Sequence, residues 1–425
     1  MIKVILQAPR YISPFNEPAR DLRIQNKPLW LNQQDLLAPY VEREREILPG
    51  EHLPISHDPM IVYRDNLWFD ESYITEFMRQ AIKRNHAVRA AFSMEDTAFR
   101  EYALPLSVSY TPAGNLLYAD LWFYPHGPDA DVDPLVIDLE ERQVGNYGVP
   151  TNMTAGSGDN VYQVPLRAMM AIDSWTHVFY ADSIFGLFAR KARFENRFNK
   201  DLWFKLKING TALYEGKRLQ ECSELVTVGR NCMIDRTAII HGPTTIGDNV
   251  IINAGAVIEN CIVGSNVKIS QDCQLMLSVV GDGTILPFRA SLLMTTIMEN
   301  GMVAQNTRLQ MCVIGRNTFI GAGNTLINNN FIPAPIRSKD WHENLSPTFR
   351  PVLGGCVGHN CNVGAGRVIS PACTIESDVV LFPTYDHCIV DHDIKYEESD
   401  HHKLKDAGKH PRLYPRWGEK VLASW

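Results

Sequence analysis

No stretch of this chain approaches the ~18 uninterrupted apolar residues of a membrane-spanning helix, so no partner membrane is expected. The opening Met-Ile-Lys-Val-Ile-Leu-Gln is a short strand-like run without an apolar leader core and cleavage site. Positive charge is in deficit. Against 48 acidic residues stand 41 Lys and Arg, and the net charge of −7 argues against a general nucleic-acid surface. The nine cysteines contain no Cys-x-x-Cys pair, which points to reduced thiols and a cytoplasmic location. At 425 residues the chain exceeds one ordinary core and suggests two domains and a tail.

What is present is a repeat. Val228, Ile234, Ile240, Ile246, Ile252 and Ile258 stand six residues apart. Val263, Ile269, Leu275, Val280, Leu286, Leu292, Ile297, Val303, Leu309, Ile314, Ile320 and Leu326 continue the series, with a five-residue step once per seventeen residues. Three short strands per turn, each sending one aliphatic inward, make a triangular parallel coil, the hexapeptide β-helix. Glycine often follows the inward aliphatic (Gly229, Gly247, Gly264, Gly281, Gly315), as suits a position where a Cβ would clash. The register returns at Val357, Val363, Ile369, Ile375 and Leu381. The interruption over 328–351 reads as a loop extruded from one coil, and most cysteines fall within the coils as small buried thiols.

The first half alternates strands and helices: strands at Ile2–Leu6, Met60–Tyr63, Ala87–Phe92, Leu117–Tyr124 and Leu135–Leu139. Asp70 or Ser72 caps an expected helix to Arg84 with Ile74, Phe77, Met78, Ala81 and Ile82 on one face, and a long amphipathic helix is expected over Ser174–Phe194. Such an order implies a parallel or mixed α/β sheet with ligands at the carboxyl ends of its strands. Gly145–Asn160 reads as a surface loop.

An α/β half followed by hexapeptide coils resembles the sugar-1-phosphate nucleotidyltransferases with C-terminal left-handed β-helices, among them the bifunctional uridylyltransferase/acetyltransferases. Asn26-Lys27-Pro28-Leu29 resembles that family's Pro-Lys-Pro-Leu, Ile61-Val62-Tyr63-Arg64-Asp65 its strand ending in a metal-binding aspartate, and Trp175–Phe185 the helix closing its sugar-binding domain. The resemblance implies a nucleotidyltransferase-like (Rossmann-like) α/β domain over 1–220, a left-handed parallel β-helix over 221–390 and a tail over 391–425. It also implies a homotrimer and a sugar phosphate or nucleotide sugar as small-molecule partner. The expected function is a transferase, by acyl transfer on the β-helix or nucleotidyl transfer in the first domain. The alternative is a degenerate relative that serves as a scaffold or regulatory sugar-nucleotide-binding protein.

Both site motifs depart from the family's. Its first loop is glycine-rich so that backbone N–H groups can wrap phosphates. Here Gln7-Ala8-Pro9-Arg10-Tyr11-Ile12-Ser13-Pro14 has no glycine, and two prolines remove donors. In the nucleotidyl version, Lys27 and Arg23 bind phosphates and Asp65 holds Mg²⁺. In the acyl version, the family's histidine position, sixteen residues before Gly321-Ala322-Gly323, is Gln305, which cannot act as a base. Asn328 keeps the family asparagine. Gln305 and Asn328 then orient substrate, His342 of the extruded loop is the candidate base, and Arg337 with Lys339 holds acetyl-CoA or another acyl-CoA. The same loop also reads as a polar segment whose histidine and charges are solvated or pack against another subunit. His387, His392, His401 and His402, interleaved with aspartates, can be read as a metal cluster or a solvated tail. Tyr414, Trp417 and Trp425 are expected to return the tail to the prism.

Overall fold

In the computed structural model the described residues are 1–148, 159–330, 335–340, 342–348, 350–385, 388–404 and 410–419. The first half is built on a mixed sheet. Ile2–Leu6, whose aliphatics Val4 and Ile5 are buried on opposite faces, lies between Arg43–Ile47 and Met60–Arg64 and is parallel to both. Leu116–Tyr124 runs antiparallel between Met60–Arg64 and Val88–Ser93, and Asp133–Val136 closes the other edge.

Helix α1 spans Leu29–Leu37 and α2 spans Glu71–Arg84. Asp70 caps α2 by accepting the Tyr73 N–H at 2.7 Å, and left-handed Asn85 ends it. Its Tyr73, Ile74, Phe77, Met78 and Ala81 enter the core, whereas Ile82 points out. The long helix expected after Ser174 is instead α3 (Trp175–Asp182), a π-helical turn (Ser183–Phe188) and α4 (Ala189–Lys200). From Trp175 to Ala189 every side chain is buried, because this stretch lies between the sheet and the coils and has no solvent face. Helix α5 follows at Leu202–Glu215. Gly145–Asn160 is not simply a loop. Arg142–Gly148 pairs antiparallel with Asp159–Val164, and 149–158 lies outside the described residues.

The repeat folds as a left-handed parallel β-helix with three eight-stranded parallel faces. The first face runs from Val226–Val228 to Thr374–Ile375, the second from Met233–Ile234 to Val380–Leu381, the third from Ile239–His241 to Ile389–Val390. Inward aliphatics from Ile246 onward form one buried stack. The glycines after them are required by stacking rather than by backbone angle. A Cβ on Gly247 would stand 2.7 Å from the Gly264 carbonyl carbon of the next coil. At the corner between the first and second faces asparagine recurs in the left-handed conformation: Asn231, Asn249, Asn266, Asn300 and Asn317 have φ between 54° and 58°. Their side chains ladder from coil to coil, as in Asn249 Nδ2 to Asn266 Oδ1 at 3.2 Å.

The halves share a core. Leu277, Met294 and Met311, at the corner between the third and first faces, are buried in one cluster with Trp68, Phe179 and Phe185. Polar ties reinforce this: Arg23 to Asp282 and Glu299 (both 3.1 Å), Arg316 to Glu17 (2.7 Å), His359 to Glu17 (3.0 Å) and Thr296 to Asp182 (2.6 Å). The tail packs on the prism as expected at Tyr414, whose ring lies tilted against His359 with centroids 4.7 Å apart; Trp417 is more exposed, and Trp425 lies outside the described residues. All nine cysteines are free, and seven are buried. Among the described residues no helix is long and apolar enough to cross a membrane.

Candidate functional site

A cavity of about 290 Å³ opens at the carboxyl ends of Ile2–Leu6 and Met60–Arg64, the location where open α/β sheets bind ligands. Ala8, Pro9 and Arg10 line it from the first loop, Arg64 and Asn66 from the end of the neighbouring strand, and Ser109, Asp120 and Asp173 from elsewhere. The Leu116–Tyr124 strand is irregular between Tyr118 and Trp122, and this break re-aims Asp120 at the cavity. Arg64 Nε donates to Asp120 Oδ2 at 2.6 Å and Arg89 to Oδ1 at 2.8 Å, so one carboxylate orients two guanidinium groups.

Asp173 organises the opposite wall. Its carboxylate accepts from the Ser107 hydroxyl (2.7 Å), the Val108 and Ser109 N–H groups (3.0 and 3.1 Å) and Asn66 Nδ2 (2.9 Å). Its own N–H donates to His177 Nδ1 at 3.1 Å, which leaves His177 Nε2–H to donate to the Pro105 carbonyl at 2.8 Å. Burial holds this histidine below its usual pKa, so the neutral ring fits both bonds. Asn66 Oδ1, by contrast, is buried and has no partner. An unpaired acceptor in a cavity wall suits a ligand hydroxyl or N–H group.

Asp65 sits just behind the cavity. Its Oδ1 accepts the Ala8 N–H at 2.8 Å and Oδ2 lies 3.7 Å from Arg20, which itself pairs with Glu46. Burial raises the Asp65 pKa to about 6 despite the Ala8 hydrogen bond and the nearby arginines. This carboxylate therefore ties down the first loop. Among the described residues no group of three or more His, Cys, Asp or Glu is arranged to hold a metal ion. With one oxygen bonded to Ala8, the other facing Arg20 and no second carboxylate joined to it, Asp65 does not fit the role of Mg²⁺ ligand.

The other candidates are scattered. Arg23 is held between Asp282 and Glu299, and Lys27 pairs with Asp35 beside α1; neither lines the cavity. Gln305 occupies the corner between the second and third faces, where its carbonyl accepts the Gly323 N–H at 3.0 Å. Asn328 follows the third-face strand Thr325–Leu326 at a different corner, and its Nδ2 contacts Met311 Sδ at 3.3 Å. The extruded segment forms a hairpin, Arg337–Lys339 with Leu345–Pro347, that docks on the α/β half. There Trp175 Nε1 donates to Ser338 (3.2 Å), and Arg350 pairs with Glu101 (3.0 Å) and lies over Tyr162. His342 and Arg337 are exposed on this hairpin, and Lys339 is paired with Asp393 at 2.7 Å. The acyl-transfer set is thus spread over two corners and a hairpin. Lys339 is matched to a carboxylate rather than left open for coenzyme A phosphates.

In the tail, His392 is exposed beside Asp391, His401 is buried against His402, and His387 lies outside the described residues. The cavity residues Arg64, Asn66, Asp120 and Asp173 were missed from sequence. Their signal was modest: charged or amide residues that end or interrupt apolar strand runs, and an aspartate just before a capped helix.

The fold is that of a two-part molecule, an α/β half with a cavity at its strand ends joined to a left-handed hexapeptide β-helix. The family described as bacterial transferase hexapeptide (six repeats) matches residues 226–260. The chain is similar to a bifunctional protein GlmU of Ruthia magnifica subsp. Calyptogena magnifica, 27% identical over 184 residues. That match covers 38% of this chain and 40% of the relative, so the chain spans well under half of that protein's length. A solved putative acetyltransferase from Bacillus cereus is 20% identical and covers 24% of this chain and 70% of its own, with a TM-score of 0.17.

Proposed function

We propose that this chain is a transferase whose ligand, a sugar phosphate or nucleotide sugar, is held in the α/β cavity rather than on the coils. The observation that carries the reading is the cavity at the strand ends, with Arg10 and Arg64 on its wall and the unpaired Asn66 acceptor beside them. In nucleotidyl transfer a sugar-phosphate oxygen attacks the α-phosphorus of a nucleoside triphosphate and pyrophosphate leaves. Little covalent help is needed from the protein, and neutralising charge is most of the work. Arg10 and Arg64 supply cations there, the Ala8–Asp65 bond fixes the first loop, and Asn66 takes a ligand donor. No step is assigned to Mg²⁺ or to an acyl-CoA.

Calorimetric titration with nucleoside triphosphates and nucleotide sugars tests this. Arg10→Ala removes one charge-assisted contact worth about 1.5 to 3 kcal/mol, an expected affinity loss of roughly 10- to 100-fold. Unchanged affinity would remove the cavity from consideration. A second reading, a binding or regulatory protein without turnover, is favoured by Pro9 and Pro14 in the first loop and by the commitment of Asp65. It predicts binding without pyrophosphate release. The outward row Met233, Ile251, Ile285, Met302 and Phe319 along the second face, interrupted by the exposed Lys268, supports a homotrimer built on that face.

A further inference from the structure

The two ends of the prism are finished differently. At the far end the tail covers the last coil: Ile394 bridges to Ile375, the Val380 N–H donates to Ser399 Oγ (2.8 Å) and the Phe382 N–H to Asp400 Oδ2 (2.8 Å). Ile375, Leu381 and Val390 are consequently buried. The first coil has no equivalent cover among the described residues. Its inward Val228 and Ile234 are 43% and 38% exposed, although they stand in the same register as the buried stack.

Register also fixes where the backbone of this coil points. Gly229, Met233, Asp235 and Ile239 donate to the carbonyls of Ile246, Val250, Ile252 and Ala256 in the second coil. Those carbonyls therefore point back toward the first coil. Their first-coil counterparts, at Val228, Cys232, Ile234 and Ala238, point toward the open end. An extended residue sends its N–H and C=O to the same side, so the end offers donors as well as acceptors, although the lead-in segment already takes the Val226 N–H (Cys222 carbonyl, 2.9 Å) and the Gly242 N–H (Gln220 carbonyl, 2.7 Å).

Beside this end lies α5. Its Ile208 and Ala212 pack on Cys222 and Leu225, which lead into the first coil. On its other side Leu202, Trp203, Leu206, Leu213 and Tyr214 are exposed, the last two at 85% and 94%. At 3.6 residues per turn these five form one face about 120° wide. Exposed edges and large apolar faces together mark a contact surface.

We propose that this end is a two-fold contact with a second copy of the chain, through the first-coil edges and the apolar face of α5. A lipid surface does not fit, because hydrocarbon cannot satisfy the open backbone groups at this end. What fits is a surface with the same triangle of extended edges. This chain has one such surface, since its other end is covered. Two-fold pairing is antiparallel and exchanges N–H and C=O both ways. The rim carries both signs, with Asp235 beside Arg236 and Lys207 paired with Glu224, so like copies meet without net repulsion.

Light scattering during size exclusion tests this on the full chain, whose protomer is 48.0 kDa. The expected mass is an even multiple: two protomers, or six where the second face also associates. Trp203→Glu with Leu213→Glu, both exposed positions, halves that mass while far-UV circular dichroism and the unfolding temperature stay unchanged. Val228→Pro, which removes an outward N–H at the edge, does the same. An odd multiple for the unaltered chain, or a mass that both variants leave intact, overturns the proposal.

Discussion

Asp182 carries the clearest single-residue consequence. It is fully buried between the halves, accepting from Thr296 Oγ1 at 2.6 Å and from the Gln25 N–H at 2.5 Å, and burial raises its pKa to about 7. In the unfolded chain an aspartate titrates near 4. The folded state therefore binds the extra proton between those values, and this contribution to stability is complete below about pH 4 and lost as pH rises through 7. Asp182→Asn removes the charge and keeps an acceptor. Its expected effect is a gain of up to about 4 kcal/mol at pH 8, falling to about 1.5 kcal/mol at pH 5 and vanishing below about pH 4, read from denaturant midpoints across that range. A variant destabilised at pH 8 contradicts this. Asp65, raised to about 6 by the same cause, predicts a smaller effect of the same sign centred a unit lower.

At the scale of elements, position in the stack decides what an inward aliphatic is worth. Ile297 lies in a middle coil and is fully buried, so Ile297→Ala is expected to cost about 2 to 5 kcal/mol. Ile234 is likewise an inward aliphatic, on the second face of the uncovered first coil, and Ile234→Ala is expected to cost under about 1.5 kcal/mol in isolated protomers. Equal losses in chemical denaturation would mean that the first coil is covered. This contrast also shows what the sequence made legible. The six-and-five spacing specified the faces, the inward set and the point where the coil resumes, because stacking allows one aliphatic per side. It carried no information about which end coil the tail covers, or that asparagine holds the left-handed corners between the first and second faces. The all-buried stretch from Trp175 to Ala189 was misjudged for a related reason. A helix between two layers loses the polar face that amphipathicity reads, and the partner layer lies more than 100 residues away in sequence, at Thr296.

At the scale of the whole molecule, the halves are joined by a shared core and by the hairpin extruded from the coils. Sequence placed Gln305, Asn328, His342, Arg337 and Lys339 within 38 positions of one another; the repeat already sets the first two after different faces, but nothing in it revealed that the hairpin carrying the other three docks on the α/β half. It likewise gave no warning that Arg23, near the first loop in sequence, is drawn away to Asp282 and Glu299. The cavity was legible only in part: the strand ends were predicted, but Asp120 and Asp173 converge on them from segments more than 50 residues distant.

The most direct measurement is a side-by-side titration of a nucleotide sugar, by calorimetry, into the unaltered chain, Arg10→Ala, Arg64→Ala and the coil-side pair Gln305→Ala with His342→Ala. The account predicts binding to the unaltered chain, at least tenfold weaker binding to each arginine variant, and undiminished binding to the coil-side pair. Binding that survives both arginine changes and disappears with Gln305 and His342 would place the ligand on the β-helix and contradict it.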